Sequence, residues 1–217
     1  MPDFPAASGP LQLAGPAGAL ELAVDRAEEP RLPAVAIVCH PLPTEGGTMH
    51  NKVVTMTARA LRELGIDTVR FNFRGAGGSA GSFDEGVGET ADLEAVAAWV
   101  RARRPEAALW LAGFSFGAYV SLRASAVLQP ALVLSIAPPV GRSWDFDALT
   151  LPTCPWLVIQ GEADEVVDPA AVFAWIDGLP EAPELVRMPE TDHFFHRKLM
   201  DLRGAVKHGV RPYLPAA

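Results

Sequence analysis

The chain has 217 residues, of which 49% are hydrophobic and 20% are charged, and its formal net charge is -8 at pH 7. This length suits one domain spanning residues 1–217, and the composition excludes a disordered chain. The negative charge argues against a nucleic-acid partner, and the lack of a run of about 18 apolar residues argues against a membrane partner.

Residues 1–10 contain three prolines and no Lys or Arg. They lack the charged and apolar regions of a secretory signal, so we expect a loose N-terminal segment. The next two segments, LQLAG and ALELAV, alternate apolar and polar residues. Alternation of this kind predicts two strands that form a hairpin.

From residue 33 onward, apolar segments typical of buried strands alternate with segments typical of helices. Such alternation predicts βαβ crossovers and a parallel sheet. The expected fold class is therefore α/β, with a mostly parallel central sheet and helices on both faces. The predicted strands are residues 33–40, 66–73, 108–113, 131–137, 155–161 and 183–188, and the predicted helices are about 52–64, 89–103, 116–128, 170–178 and 195–209.

Most of the unusual residues follow directly after these strands. In an open parallel sheet, ligands bind beyond the carboxyl ends of the strands. We therefore expect the functional site to be assembled from the loops at these ends. Those loops carry CHPLPTEGGT, NFRGAGGSAG, AGFSFGA, APPVGRSWD, QGEADEVVD and PETDHFFH.

Two serines fit the Gly-x-Ser-x-Gly pattern, Ser79 in GGSAG and Ser115 in GFSFG. The pattern marks a nucleophile when a strand ends at the first Gly and a helix begins after the Ser. Ser115 meets this condition, because ALWLA precedes it and AYVSLRASAVL follows it. Ser79 is followed by the Gly-rich GSFDEGVG, so we interpret it as a loop residue. Ser115 is therefore the predicted nucleophile.

A serine hydroxyl needs a base that accepts its proton, and His suits this role because its unperturbed pKa is about 6.5. His193, in ETDHFF, closely follows the last predicted strand and is the predicted base. We expect His196 on the first turn of the final helix, as a surface or packing residue. His40 is expected to form a hydrogen bond in the floor of the site, and His50 is expected at a helix start.

The base in turn needs a carboxylate that orients its imidazole. Asp164, in GEADEVVD, lies three residues beyond the end of a predicted strand and is the predicted carboxylate. Asp168 precedes a proline and is interpreted as a helix N-cap. Asp145 and Asp147, which follow the preceding strand, remain as alternatives.

The order Ser115, Asp164 and His193 on strand exits resembles the α/β-hydrolase superfamily. More narrowly, the chain resembles small bacterial serine hydrolases related to the dienelactone hydrolases, through CHPLPTEGGTMHNKVV, FNFRGAGGSAGSFDEG, GFSFGAYV, GEADEVV and DHFF. The match covers about residues 33–205. This resemblance implies the α/β-hydrolase fold, a catalytic triad of these three residues and esterase-like activity.

An acyl-transfer intermediate needs two N–H donors aimed at its oxygen. One is expected from the backbone of Phe116, the residue after the nucleophile. The other is expected from Leu42 in HPLP, because the flanking prolines have no N–H and because the resembled family places a donor at this position. The amides of Gly46 and Gly47 remain as alternatives.

Neither a metal nor a cofactor is expected. RGAGGSA formally matches a dinucleotide-binding pattern, but no helix is predicted to begin there. DHFFH lacks the Glu and the histidine spacing of a zinc-protease helix. Cys39 and Cys154 lack the spacing of a metal site or a redox pair, so we expect buried thiols in a reduced, cytoplasmic protein.

Two basic features are expected to serve the fold. The RARR cluster at residues 101–104 falls at the end of a predicted helix, where cations complement the helix dipole. Arg74 is expected to bond backbone carbonyls, with contact to an acidic substrate as the alternative.

About 17 residues separate the strands on either side of APPVGRSWD, too few for a cap domain. We therefore expect an open cleft lined by Leu42, Phe116, Val140 and Trp144, with Val140 and Trp144 contacting the substrate. The predicted function is a cytoplasmic carboxylesterase that acts on small or short-chain acyl esters through an acyl-serine intermediate. A thioesterase, a lactonase, a peptidase and a non-catalytic scaffold of the same fold are the alternatives, and the sequence predicts no oligomeric state.

Overall fold

The computed structural model describes residues 1–216, which form one eight-stranded sheet with helices on both faces. This arrangement confirms the predicted α/β class. The strands are β1 (Gly9–Gly15), β2 (Gly18–Asp25), β3 (Ala34–Cys39), β4 (Asp67–Phe71), β5 (Ala108–Phe114), β6 (Leu132–Ile136), β7 (Trp156–Gly161) and β8 (Glu184–Met188). The helices are α1 (Lys52–Arg62), α2 (Val87–Arg103), α3 (Phe116–Leu128), α4 (Pro169–Asp177) and α5 (Leu199–Val210), with short 3-10 helices at Pro43–Glu45 and Arg211–Tyr213.

The strand order across the sheet is β1-β2-β4-β3-β5-β6-β7-β8. β1 and β2 form the predicted antiparallel hairpin, and β2 also pairs with β4 in antiparallel orientation. Every pairing from β4 through β8 is parallel. The carboxyl ends of these strands therefore lie along one edge of the sheet, as the sequence predicts.

The hydrophobic core is divided between the two faces of the sheet. Successive strand residues point to opposite faces, so Ala36 and Val38 pack with α1 and α5, whereas Val35 and Ile37 pack with α2, α3 and α4. All six residues of β3 are buried, as expected for a parallel strand that is covered on both sides. None of the helices within residues 1–216 is long and apolar enough to cross a membrane.

The N-terminal segment differs from the expected loose end. Residues 9–10 belong to β1, and the ring of Phe4 stacks on Trp99 with 5.4 Å between centroids. The indole Nε1 of Trp99 also donates a hydrogen bond to the carbonyl of Pro2 over 2.8 Å. An aromatic pair and a buried donor thus tie a segment without regular structure to α2.

The last helix begins at Leu199 and not at residue 195 as predicted. Phe195 and Arg197 have φ angles of 56° and 60°, in the left-handed region that an α-helix of L-residues does not enter. His196 therefore precedes the helix. It is exposed, and its Nδ1 lies 2.8 Å from the carboxylate of Asp192.

The RARR cluster lies at the end of α2, as predicted, and its side chains are used within the fold. Arg103 Nε donates to the carbonyl of Pro2 over 3.0 Å. Arg104 Nη1 donates to the buried carboxylate of Asp67 over 2.7 Å.

Glu63, the C-cap of α1, links this helix to α5. Its carboxylate accepts hydrogen bonds from Arg203 Nε at 2.8 Å, Lys207 Nζ at 3.0 Å and Arg59 Nε at 3.0 Å. Partial burial works to raise the pKa of Glu63, but the hydrogen bonds from the three cations outweigh it and lower the pKa to about 2. The ionised carboxylate therefore stabilises the folded chain.

We expect Glu63→Gln to lower the free energy of unfolding by about 1 kcal/mol at pH 7. Because the folded pKa of Glu63 lies below its unfolded value near 4.5, the difference should persist above that value and disappear as the pH falls toward 2. Urea unfolding at several pH values measures it. The control is Glu106→Gln, which removes an exposed ion pair. A loss of unfolding free energy in Glu63→Gln that grows as the pH falls would contradict the stabilising role of the ionised Glu63 carboxylate.

Candidate active site

The loops that follow the parallel strands enclose a cleft at the carboxyl edge of the sheet. Its volume is about 200 Å³. Contributions come from the loops after β3, β5, β6, β7 and β8, so the predicted assembly from strand exits describes the cleft correctly. Its walls include Leu42, Ser115, Phe116, Trp144, His193 and Phe194.

Ser115 occupies the sharp turn between β5 and α3. Its φ and ψ angles are 53° and -120°, a conformation that is unfavourable for a residue with a side chain. The turn is held by hydrogen bonds from the Ser115 N–H to the carbonyl of Ile136 and from the Ala118 N–H to the carbonyl of Ser115, both 2.8 Å. This backbone places the Ser115 side chain on the cleft wall at the N-terminus of α3.

The glycines that flank Ser115 allow three segments of backbone to approach closely. A Cβ on Gly113 would overlap the carbonyl of Gly117, and a Cβ on Gly117 would overlap the carbonyls of Cys39 and His40. The first turn of α3 therefore rests directly on the end of β3. This contact brings the loop after β3 next to Ser115.

The structure brings the three predicted side chains together. His193 Nε2 lies 3.1 Å from Ser115 Oγ, and His193 Nδ1 lies 2.8 Å from Asp164 Oδ2. All three residues are at least nine-tenths buried. The imidazole also packs on the ring of Phe114, with 5.0 Å between centroids. If Nδ1 carries the proton toward Asp164, Nε2 is left as an acceptor for the serine hydroxyl.

Asp164 receives four hydrogen bonds. Oδ1 accepts from the backbone N–H groups of Val166 and Val167, and Oδ2 accepts from His193 and from Gln160 Nε2 at 3.1 Å. Burial works to raise the pKa of Asp164, but the hydrogen bonds from His193 and the two amides outweigh it and lower the pKa. The carboxylate is therefore ionised and fixed in orientation at neutral pH.

The other acidic residues near the strand exits have different partners. Asp168 caps α4, as predicted, by accepting from the Ala170 N–H at 2.9 Å. Asp145 accepts from two backbone N–H groups in its own loop, at 3.1 Å each. Glu165 accepts from the backbone N–H of His193 at 3.2 Å and thus anchors the loop that carries the imidazole.

His40 holds the loop after β3 from below. Its Nε2 accepts from the Phe73 N–H at 3.0 Å, and its Nδ1 lies 2.6 Å from the carbonyl of Pro41. Burial lowers the pKa of His40 to about 4, so the ring is neutral and donates to Pro41 through Nδ1. The expected hydrogen bond of His40 is present, and it fixes the start of the HPLP segment.

Two backbone N–H groups on the cleft wall, those of Leu42 and Phe116, donate to no protein acceptor within residues 1–216. The alternative donors, the backbone N–H groups of Gly46 and Gly47, already have acceptors within the turn. The Gly46 N–H donates to the carbonyl of Pro43, and the Gly47 N–H donates to the carbonyl of Leu42, at 3.1 and 3.0 Å. Of these four candidate donors, Leu42 and Phe116 are therefore the two whose N–H groups are not used by a protein acceptor.

The second serine of the same pattern serves the fold. Ser79 is buried, accepts from the Glu21 N–H at 2.9 Å and donates to the carbonyl of Asn72 at 2.6 Å. Arg74 forms a two-pronged ion pair with Asp92, Nε to Oδ2 at 3.0 Å and Nη2 to Oδ1 at 2.8 Å. Arg74 therefore binds the buried carboxylate of Asp92 and not the backbone carbonyls that the sequence analysis expects.

The connection between β6 and β7 forms one wall of the cleft without a cap domain. Trp144 borders the cleft and packs on Phe116 with 4.8 Å between centroids. Val140, which the sequence predicts to line the cleft, does not border it, and its side chain is buried in the core cluster that also contains residues of α3 and α4. Pro139 borders the cleft in its place.

The two cysteines are free thiols. Cys39, the last residue of β3, is buried, and this burial raises the pKa of its thiol to about 12. Cys154 is only partly buried, which differs from the expected burial of both thiols.

Sequence patterns do not predict several residues of the site. Gln160 and Glu165 hold Asp164 and His193, and Val167 and Phe194 border the cleft. Gln160 carried a usable signal, since it is the one polar side chain in the apolar strand segment PWLVIQG. The others depend on how the loops fold back, which strand and helix patterns do not encode.

Comparison with known proteins places the chain among hydrolases. A family model described as X-Pro dipeptidyl-peptidase (S15 family) matches residues 37–150. The chain is similar to an α/β serine hydrolase without a lid from Xanthomonas campestris, with 65% identity, full coverage of both chains and a TM-score of 0.97. An α/β serine hydrolase homologue from Coxiella burnetii is 43% identical, covering 96% of this chain and 100% of that chain, with a TM-score of 0.92. An uncharacterized protein of Rickettsia prowazekii is 34% identical over 202 residues, which are 88% of this chain and 84% of that protein.

We expect Gly117→Ala to destabilise the fold by about 1–3 kcal/mol, because the added methyl group overlaps two backbone carbonyls that have no room to move. Gly204→Ala is the matched control, since Gly204 lies in α5 with open space around its Cα. That change should be neutral or stabilise by up to about 1 kcal/mol. Urea unfolding compares them, and a Gly117→Ala variant as stable as the parent chain would disprove the close contact.

Proposed function

Since the chain belongs to the α/β serine hydrolases without a lid, and through residues 37–150 to the family described as X-Pro dipeptidyl-peptidase (S15 family), we propose that it is a carboxylesterase acting on small acyl esters. The observation that carries the proposal is the hydrogen-bonded series from Ser115 through His193 to Asp164, with distances of 3.1 and 2.8 Å. The series favours catalysis over a non-catalytic scaffold, because it places a hydroxyl, a base and an ionised carboxylate in the order that acyl transfer requires.

In the proposed reaction, Ser115 Oγ attacks the ester carbonyl while His193 Nε2 takes its proton. The imidazolium is stabilised by the ionised Asp164, which already holds the Nδ1 side of the ring. The tetrahedral intermediate collapses when the C–O bond to the alcohol breaks and Nε2 returns the proton to that oxygen. A water molecule, deprotonated by the same imidazole, then hydrolyses the acyl-serine.

The N–H groups of Leu42 and Phe116 are proposed as the oxyanion hole. Support comes from their position on the cleft wall, from the lack of protein acceptors for them in the described chain, and from the use of the Gly46 and Gly47 amides within the turn. Both donors are held in place by the fold. The hydrogen bonds of His40 fix the segment before Leu42, and Phe116 belongs to the first turn of α3. Donors fixed in advance stabilise developing charge without reorganisation.

The proposed substrates are small-molecule esters with short acyl groups. The cleft is small, at about 200 Å³, and Trp144 over Phe116 forms an apolar wall for the acyl part. The β6–β7 connection is short and includes no cap domain, so it provides neither a long acyl tunnel nor a lid that opens at a lipid surface.

Hydrolysis of a peptide bond is the second candidate, because the matching family is described as a dipeptidyl-peptidase. The same nucleophile and base serve both reactions, and the difference lies in the leaving group. A panel that includes p-nitrophenyl acetate, a short thioester, a lactone and Ala-Pro p-nitroanilide separates them. Preference for the dipeptide anilide would replace the esterase proposal.

Ser115→Ala is expected to lower the rate of p-nitrophenyl acetate hydrolysis by at least about a thousandfold, because it removes the hydroxyl that lies 3.1 Å from His193 Nε2. An organophosphonate probe should label the parent chain at Ser115 and leave the variant unlabelled, as read by mass spectrometry. Ser79→Ala is the matched control and should still be labelled. Unchanged hydrolysis in Ser115→Ala would disprove the proposed nucleophile.

Leu42→Pro tests the oxyanion donor by removing a single N–H. The φ angle of Leu42 is -53°, which proline adopts without strain. We expect the kcat of this variant to fall by about 100- to 1000-fold while the fold is kept. Leu42→Ala keeps the N–H and is the control, with a much smaller loss. Equal effects of the two changes would show that the Leu42 side chain and not its N–H matters.

A further inference from the structure

The two consecutive phenylalanines that follow His193 differ in their exposure to solvent. Phe195 is fully buried, with its ring 6.4 Å from that of Phe114. Phe194 is 42% exposed and borders the cleft. Of the large exposed hydrophobic side chains in residues 1–216, Phe194 alone borders the cleft. An apolar ring held in solvent beside a reactive group is a candidate for contact with a ligand.

The backbone enforces this exposure. Phe195 has a φ angle of 56°, in a region that is unfavourable for a residue with a Cβ. Its N–H donates to the carbonyl of Asp192 at 3.2 Å, and its carbonyl accepts from the Lys198 N–H at 3.0 Å. Strain of this kind persists where the surroundings impose it, and it clusters at ligand sites. The turn thus directs one ring into the core and leaves the other at the cleft.

The position of Phe194 relates it to one part of the substrate. His193 Nε2 must return a proton to the oxygen of the departing alcohol, so the alcohol lies against the imidazole. The ring of Phe194 stands at 89° to that imidazole, with 5.0 Å between centroids. Trp144, the proposed acyl contact, instead packs on Phe116. The two aromatic walls therefore serve different parts of the ester.

We propose that Phe194 forms a wall of a leaving-group subsite, and that the preferred esters carry an aryl alcohol or a comparably flat apolar one. This inference rests on the proposed esterase function. An exposed ring beside the imidazole offers an edge and a face to a second ring, the geometry in which aromatic pairs attract. An aryl leaving group fills this position and removes the Phe194 ring from water. A small alkyl group leaves most of the ring exposed.

The test uses two esters with the same acyl group, phenyl acetate and 2,2,2-trifluoroethyl acetate. They form the same acetyl-serine, so any difference in kcat/KM arises on the leaving-group side. Phe194→Ala is expected to lower the ratio of kcat/KM for phenyl acetate over trifluoroethyl acetate by about three- to tenfold. Phe194→Leu keeps an apolar side chain but has no ring. The kcat/KM ratio of this variant should therefore fall nearly as far as that of Phe194→Ala.

Tyr213→Ala is the control, since Tyr213 is an exposed aromatic residue away from the cleft, and it should leave the ratio unchanged. A ratio that stays within about twofold in Phe194→Ala, or that Phe194→Leu retains in full, would overturn the aryl subsite while the esterase proposal stands. Failure of the parent chain to hydrolyse either ester would instead overturn the esterase proposal itself. Labelling of Ser115 by the phosphonate probe shows that each variant is folded.

Discussion

The turn at Ser115 is the constraint on which the rest of the site depends. A serine with a φ angle of 53° is held between a central strand and a helix by two short backbone hydrogen bonds. That conformation exists only because glycine at positions 113 and 117 lets the helix start rest on the neighbouring strand ends. The close contact determines where the Phe116 N–H points and how near the HPLP loop comes. One strained residue therefore positions a hydroxyl, a helix N-terminus and a neighbouring loop together.

The groups around Ser115 are held by polar contacts that lie mostly out of reach of water. Asp164 has all of its acceptor positions occupied, and the neutral ring of His40 connects Phe73 to Pro41 across two strand exits. Because each contact uses a buried donor or acceptor, loss of one leaves an unpaired group in a medium of low polarity. Such a network resists small movements, as proton transfer between fixed side chains demands.

Strand and helix patterns were sufficient for the fold, because a parallel sheet covered on both sides requires long apolar segments such as AVAIVC at regular intervals. The segments on either side of Ser115 are also enough to distinguish it from Ser79.

Loop conformations are harder to predict from the sequence. The final helix begins later than the sequence pattern predicts, since nothing in the residue types shows that Phe195 and Arg197 adopt positive φ angles. The sequence does not tell which side chain of a turn faces the cleft, and here Pro139 borders it while Val140 is buried in the core. Gln160 lies within an apolar strand segment, and its hydrogen bond to Asp164 depends on how the following loop folds back.

Because Cys39 is buried at the end of β3, its chemical modification can be used to follow opening of the sheet. A thiol with a pKa of about 12 and no exposed surface is almost never a thiolate in the native state, so it resists alkylation. Cys154 is partly accessible and lacks this protection. In a Cys154→Ser background, the rate at which iodoacetamide modifies the chain therefore follows opening of the central sheet directly beneath the nucleophile, without any engineered label.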